Sequence, residues 1–106
     1  MAKNYDFNDE MKEMCFAYTN ITGKYKYIGS TLNPFGRCDG MNECGLAVCK
    51  ASNGLPASNF EGGQKAGVTG FSFWIVVRSI LENCHTVKEA IAWTMAAPIG
   101  YKIMRF

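Results

Sequence analysis

Alternating apolar and polar positions in the first half of the chain predict β-strands. Residues 15–22 alternate in part, and residues 24–28 alternate between lysine and tyrosine. The Thr22-Gly23 pair between these runs fits a hairpin turn, because glycine adopts positive φ without strain. A short apolar run over residues 45–51 predicts a further, buried strand.

The second half carries apolar residues at helical spacing. A first helix is predicted from steps of three and four residues, and its apolar face consists of Phe73, Val76, Val77, Ile80, Leu81 and Cys84. The sequence Thr86-Val87-Lys88-Glu89 is a capping box, so a second helix is predicted over residues 87 to about 97, ended by Pro98. Its predicted inward residues are Val87, Ala90, Ile91, Thr94 and Met95. His85, between the helices, is expected to bond the C-terminal carbonyls of the first.

The remaining segments are irregular or end abruptly. Residues 53–70 are rich in glycine and predict a long loop of the kind that is usually functional or mobile. Residues 100–106 resemble a strand that is cut off, and residues 3–7 have no strand before them. Because such a sheet would have few partners for its edges, we expect residues 1–106 to be a single incomplete domain of a longer protein.

Composition and charge restrict the class of protein. The chain is 48% hydrophobic, which excludes wholesale disorder, and its net charge of +2 without a basic run argues against nucleic acid as a partner. The longest apolar stretch, residues 71–77, is too short to cross a bilayer, and the polar start does not form a leader peptide. We therefore expect a cytoplasmic protein without a membrane partner.

The cysteines indicate neither a disulfide framework nor a metal site. Five is an odd number, and Cys15, Cys38, Cys44, Cys49 and Cys84 include no Cys-x-x-Cys pair. With one histidine in the chain, the spacings fit no common zinc module. We predict reduced cysteines used as small core residues, no metal and no cofactor.

The candidate chemistry lies in residues 40–48, which read Gly-Met-Asn-Glu-Cys-Gly-Leu-Ala-Val. Asn42 and Glu43 are expected in a tight turn that a glycine and a strand follow. An asparagine amide held at the mouth of a strand can donate to a developing oxyanion. Alternatively, Asn42 only forms the turn, as asparagine does routinely.

This stretch resembles the G-M-N-E-x-G-L-A-V turn and strand of the linear-amide hydrolases of the N-terminal-nucleophile superfamily. The superfamily includes penicillin V acylase, bile salt (choloylglycine) hydrolase and the isopenicillin N acyltransferase-like proteins of peptidase family C45. Residues 3–7 are similar to the family's R-N-x-D-[FW] motif, and residues 25–29 resemble the strand before the turn. Residues 73–98 resemble a helix pair that contains T-V-x-E-A. Order and spacing agree over nearly the whole chain, and the helix pair favours the acyltransferase-like branch.

The resemblance implies an α+β fold, as part of a four-layer αββα sandwich, and a cysteine-nucleophile amidase or acyltransferase. Such an enzyme acts on the linear amide C–N bond of a small molecule through an acyl thioester, with the α-amine of its N-terminal cysteine as base. Asp6 matches the aspartate that orients this amine, and Asn42 matches an asparagine credited with oxyanion and substrate contacts. Lys3 falls at the arginine position, where it keeps the charge but loses the planar two-pronged donor.

The nucleophile is the main departure from the family pattern. The family's cysteine precedes R-N-x-D, where this sequence has only Met1 and Ala2, and Cys15 lies downstream without a free α-amine. We therefore expect the chain alone to be inactive. The alternatives are a noncatalytic binding module that uses the loop over residues 53–70, and an interaction protein whose open strand edges a partner covers. A homo-oligomer is left open, as are the acyl group and the leaving amine.

Overall fold

The computed structural model describes residues 14–31, 35–50 and 70–98. In these ranges four strands precede two helices: β1 (Cys15–Thr19), β2 (Tyr27–Thr31), β3 (Asp39–Asn42), β4 (Ala47–Cys49), α1 (Phe73–Asn83) and α2 (Val87–Ala96). The strands form one antiparallel sheet in the order β1-β2-β3-β4. The fold class is therefore α+β, with the predicted order of strands followed by a helix pair.

The first hairpin follows the sequence pattern at its turn but not at its second strand. Gly23 has a φ of 80°, and Lys24 N donates to Ile21 O at 3.1 Å, which confirms the predicted turn. The strand predicted from residue 24 begins only at Tyr27. The reason is that Tyr25 N donates to Glu82 O in α1 rather than to a neighbouring strand.

The two faces of the sheet have different surroundings. One face packs against α1: Tyr27 and Val48 contact Val77 and Leu81, while Leu46 packs in a second cluster with Val76, Ile80 and Cys84. Strand alternation places another set of side chains on the opposite face, and we call this set the open face: Phe16, Tyr18, Ile28, Met41, Ala47 and Cys49. All six are exposed. The described core therefore lies on one side of the sheet.

The two helices differ in how well their predicted faces agree with the structure. In α1 the apolar face is confirmed, because Val76, Val77, Ile80, Leu81 and Cys84 are buried. In α2 the predicted inward face is confirmed in part. Thr94 is buried and Ala90 packs against the cluster around Ile80, as does the following Ala97. The prediction is wrong for Val87, Ile91 and Met95, which are exposed.

Several predicted segments lie outside the described residues. These are residues 3–7, residues 100–106 and, apart from Gly70, the predicted loop over residues 53–70. Within the described ranges, no helix has both the length and the apolar character needed to cross a membrane.

Candidate functional site

The Asn-Glu turn connects β3 to β4 as a short hairpin. Gly45 N donates to Asn42 O at 2.9 Å, and Asn42 N donates to Leu46 O at 3.0 Å. Gly45 has a φ of 83°, the left-handed conformation that a three-residue hairpin loop requires at this position. The glycine therefore sets the geometry in which Asn42 is held.

All the hydrogen-bonding positions of the Asn42 side chain are used. Its Nδ2 donates to Leu81 O at 3.1 Å and to Cys84 O at 2.7 Å. Its Oδ1 accepts from Cys44 N and Leu46 N, each at 3.1 Å. Because a side-chain amide has two donor hydrogens and two acceptor lone pairs, Asn42 joins the hairpin to the end of α1 with its full capacity. We call this set of four bonds the Asn42 clamp.

Glu43 fixes the other side of the turn. Its Oε1 accepts from Lys26 N at 2.9 Å, and its main-chain N donates to Lys26 O at 2.8 Å. The carboxylate therefore ties the turn to the residue before β2. Sequence reasoning placed Glu43 in the turn but did not assign it this role, which depends on a residue 17 positions away.

The capping role predicted for His85 is wrong. The carbonyl oxygens at the end of α1 accept from Asn42, and the His85 side chain contacts Glu89 instead. His85 Nδ1 lies 2.9 Å from Glu89 Oε2, and His85 N donates to the same oxygen at 3.0 Å. Thr86 Oγ1 accepts from Glu89 N at 3.2 Å, as the capping box predicts. In the reciprocal bond of this capping box, the Glu89 carboxylate thus accepts from His85 N, one residue before the cap.

A polar network joins α1 to the face of the sheet on which this helix packs. Tyr27 Oη donates to Glu82 Oε1 at 2.9 Å, and Arg78 Nε donates to that oxygen at 2.7 Å. Burial raises the pKa of Tyr27, and the hydrogen bond to Glu82 raises the pKa of Arg78. The guanidinium of Arg37 lies 5.4 Å from the Tyr27 ring centre. Sequence reasoning missed this network, although the spacing of Arg78 and Glu82 is that of a helical ion pair.

None of the five cysteines has the environment that the sequence analysis predicts for the nucleophile. Cys38 and Cys84 are buried, and burial raises the pKa of the Cys84 thiol, which disfavours the reactive thiolate. Cys15, Cys44 and Cys49 are exposed, but each main-chain nitrogen is part of a peptide bond and cannot act as an amine base. Within the described ranges, His, Cys, Asp and Glu side chains form no group of three that could hold a metal ion.

The predicted site residues differ in what the structure says of them. Lys3 and Asp6 lie in residues 1–13, outside the described ranges, so their roles stay predictions. Asn42 is buried at the end of β3, with both amide hydrogens on main-chain carbonyls. These contacts favour the structural role that the sequence left open, and the oxyanion role stays a prediction.

The described geometry defines an α+β domain in which an Asn-Glu hairpin is held against the end of a helix. The family model of acyl-coenzyme A:6-aminopenicillanic acid acyl-transferase matches residues 1–104. The chain belongs to this family, which indicates an acyltransferase- or amidase-like function. Comparisons with curated proteins and with solved structures gave no match.

Proposed function

We propose that the chain is part of a cysteine-nucleophile acyltransferase or amidase that acts on a linear amide of a small molecule. The observation that carries the proposal is the family match over residues 1–104. The motifs at residues 3–7 and 40–48 support it, because they supply the aspartate and the asparagine of the family pattern, with Lys3 at the position of its arginine.

The proposed reaction has two acyl transfers. A cysteine thiol gives its proton to its own α-amine, and the thiolate attacks the amide carbonyl to form a tetrahedral oxyanion. The C–N bond then breaks, the leaving amine takes the proton, and the acyl group remains as a thioester. Water or a second amine attacks the thioester and regenerates the thiol. In this scheme Asp6 orients the α-amine and the charge of Lys3 favours the thiolate.

Two roles are open to Asn42 in this reaction. As an oxyanion donor, it would exchange its bond to Leu81 O or Cys84 O for one to the substrate. As a positioning residue, it would keep those bonds and hold the turn beside the reacting carbonyl. In an active longer protein, Asn42→Ala lowers kcat about 10²–10³-fold among folded molecules if Asn42 is the donor. A smaller amount of folded protein, with kcat per folded molecule unchanged, supports the positioning role.

The nucleophile in this proposal comes from outside the given sequence, because none of its five cysteines combines a thiol with a free α-amine. The 106-residue chain incubated with penicillin V, conjugated bile salts and N-acyl amino acids should therefore release no product. Turnover that Cys15→Ser abolishes would contradict the assignment of the nucleophile. A longer protein with a cysteine at its mature N-terminus should form an acyl adduct on that cysteine, measured by intact mass.

For the fold, we propose that the sheet and its helix pair are two layers of the αββα sandwich. Such a sandwich needs a second sheet on the face opposite the helices. The open face is apolar and exposed, as a surface between two sheets would be before the second layer is added.

A noncatalytic binding or interaction module is the second candidate. Two observations favour it: the Asn42 amide has no hydrogen left for a substrate, and the open face is apolar. A longer protein with an N-terminal cysteine that forms no acyl adduct with any of these amides would support this candidate over the enzyme.

A further inference from the structure

A side chain replaces one main-chain acceptor where β2 and β3 meet the Asn-Glu turn. Tyr27 pairs with Asn42 in the β2–β3 register, and the next pair toward the turn is Lys26 with Glu43. Glu43 N donates to Lys26 O at 2.8 Å, which makes this a hydrogen-bonded pair of an antiparallel ladder. The second bond of such a pair runs from Lys26 N to Glu43 O, but here Lys26 N donates to Glu43 Oε1 at 2.9 Å. The carboxylate therefore takes the place of the main-chain carbonyl.

The opposite end of β3 shows the same replacement. Ser30 N donates to Asp39 Oδ1 at 3.1 Å, while Ser30 O accepts from Cys38 N at 2.9 Å. Two consecutive residues thus face one residue of β2, which is the pattern of a β-bulge. An acidic side chain therefore completes the pairing with β2 at each end of β3, and the strand is limited to four residues, of which Asn42 is the last.

The replacement at Glu43 lets the chain turn immediately after Asn42. Because Lys26 N bonds to the carboxylate, the main chain of Glu43 does not have to continue along β2. It enters the three-residue loop instead, in which Gly45 N donates to Asn42 O at 2.9 Å. Two further main-chain N–H groups of this hairpin reach Asn42 Oδ1. The geometry of the Asn42 clamp thus depends on where the Glu43 carboxylate is held.

A second route connects Glu43 to the end of α1 that Asn42 contacts. Tyr25 N, adjacent to Lys26, donates to Glu82 O at 3.1 Å. That carbonyl lies in sequence between the two that accept from the Asn42 amide. The end of α1 is therefore joined to the turn twice, once through Asn42 and once through Lys26 and Glu43. A change at Glu43 should alter the alignment of the Asn42 amide because both routes meet at the same helix end.

We propose that Glu43 is a positioning residue, whose carboxylate holds the Asn-Glu turn so that the Asn42 amide stays aligned on the end of α1. For the reaction, this inference rests on the proposed function, in which Asn42 lies beside the reacting carbonyl. The position requires an acceptor rather than a charge, because the carboxylate contacts the main-chain N of Lys26. Both side chains are exposed, and an ion pair between exposed side chains contributes little.

Nuclear magnetic resonance of the full 106-residue chain measures both effects. In Glu43→Ala, the N–H of Lys26 should exchange with solvent about fivefold faster, the effect of losing one hydrogen bond. The signals of the Asn42 side-chain NH2 group should move toward those of a solvated amide. Glu43→Gln should match the parent in both readouts, because its amide oxygen still accepts. Glu43→Asp should match Glu43→Ala, because its carboxylate is one methylene too short.

Two controls separate positioning from general stability. Lys26→Ala is the matched variant, because it removes the ammonium group, leaves the main-chain N–H and should not move the Asn42 signals. Ala97 N, which donates to Trp93 O in α2, is the reference amide, because a general loss of stability would raise its exchange rate as well. Circular dichroism checks that each variant is folded, and the comparison of Glu43→Gln with Glu43→Asp carries the test if Glu43→Ala unfolds.

Kinetics in an active longer protein give an independent readout. Glu43→Asp should lower kcat by up to about 10²-fold with little change in KM, since misplacing a reacting group by about 1 Å has an effect of this size. Glu43→Gln should retain the parental kcat.

Asn42 signals that stay unmoved in Glu43→Ala and Glu43→Asp overturn the proposal. So does a Glu43→Gln variant that behaves like Glu43→Ala, since the charge would then matter, or an equal effect of Lys26→Ala. Exchange that rises equally at Ala97 shows a loss of general stability and also overturns it. A longer protein that forms the acyl adduct while the Asn42 signals stay unmoved refutes the positioning role and leaves the proposed function intact. Moved signals in a protein that forms no adduct refute the proposed function and leave the positioning of Asn42 intact.

Discussion

Replacing Asn42 tests the Asn42 clamp most directly. In Asn42→Ala, Leu81 O and Cys84 O lose their donor, and Cys44 N and Leu46 N lose their acceptor. A typical buried hydrogen bond contributes about 1 kcal/mol, and leaving its partner unsatisfied costs about 1–3 kcal/mol. Since water can reach part of the exposed turn, we expect a loss of about 3 kcal/mol, a large share of the roughly 5–15 kcal/mol of a small domain.

Asn42→Asp tests the direction in which stability changes with pH. The carboxylate keeps the acceptor role, but it faces the two carbonyl oxygens that the amide nitrogen served, so burial and repulsion should raise its pKa in the folded state. A group with a raised folded-state pKa contributes its stability below the unfolded value of about 3.9, and that stability is lost as the pH rises through the folded value. The variant should therefore be less stable at neutral pH than at acidic pH, and its stability should rise on acidification.

Urea denaturation followed by circular dichroism measures both effects as a change in midpoint at constant slope. Asn20→Ala serves as the control, because Asn20 is an exposed asparagine in the loop between β1 and β2. If Asn42→Ala costs less than about 0.5 kcal/mol, the value for an ordinary surface substitution, the clamp does not stabilise the fold and the reasoning is refuted.

Three further outcomes follow from other contacts. Gly40→Ala should destabilise the fold by about 1–3 kcal/mol, because a Cβ would lie 2.6 Å from Ile28 O and 2.8 Å from Leu81 Cδ1; an unchanged melting temperature would contradict this. Burial raises the pKa of Tyr27, so its contribution to stability should be complete below about pH 10 and be lost as the pH rises through the raised value. Tyr27→Phe should flatten that alkaline loss in urea midpoints, and an equally steep loss in the variant would exclude Tyr27 as its source. Thr86→Ala should cost about 1 kcal/mol by removing the cap of α2, whereas Thr86→Ser should not, as thermal melts of both variants can establish.

Local signals in the sequence predicted local structure well. The apolar spacing along α1, the Thr22-Gly23 turn and the Thr86 cap each depend on residues a few positions apart, and all three are present. The inward face of α2 was predicted correctly for Ala90 and Thr94 but not for Val87 and Met95, which side-chain hydrophobicity alone favoured. Close packing against the core favours the smaller side chains of this helix.

The candidate site was harder to predict, because its contacts join distant parts of the chain. A turn asparagine is ordinary in sequence, and nothing near Asn42 indicates that its amide reaches Leu81 O and Cys84 O. The same limit applied to His85, whose position after α1 suggested a cap that Asn42 provides. Family resemblance identified the turn as important, but resemblance alone did not separate a chemical role from a structural one.

The Asn42 clamp also has a consequence for the order of folding. Its bonds to α1 span 39 and 42 residues, whereas the sheet is built from hairpins between consecutive strands. Closing a short loop loses less chain entropy than closing a long one, so the hairpins can form before α1 docks. The main-chain amides of Cys44 and Leu46, which donate to Asn42, would then gain their full protection from hydrogen exchange when the helix arrives. We therefore expect the bonds from Asn42 to α1 to form late in folding, after the transition state.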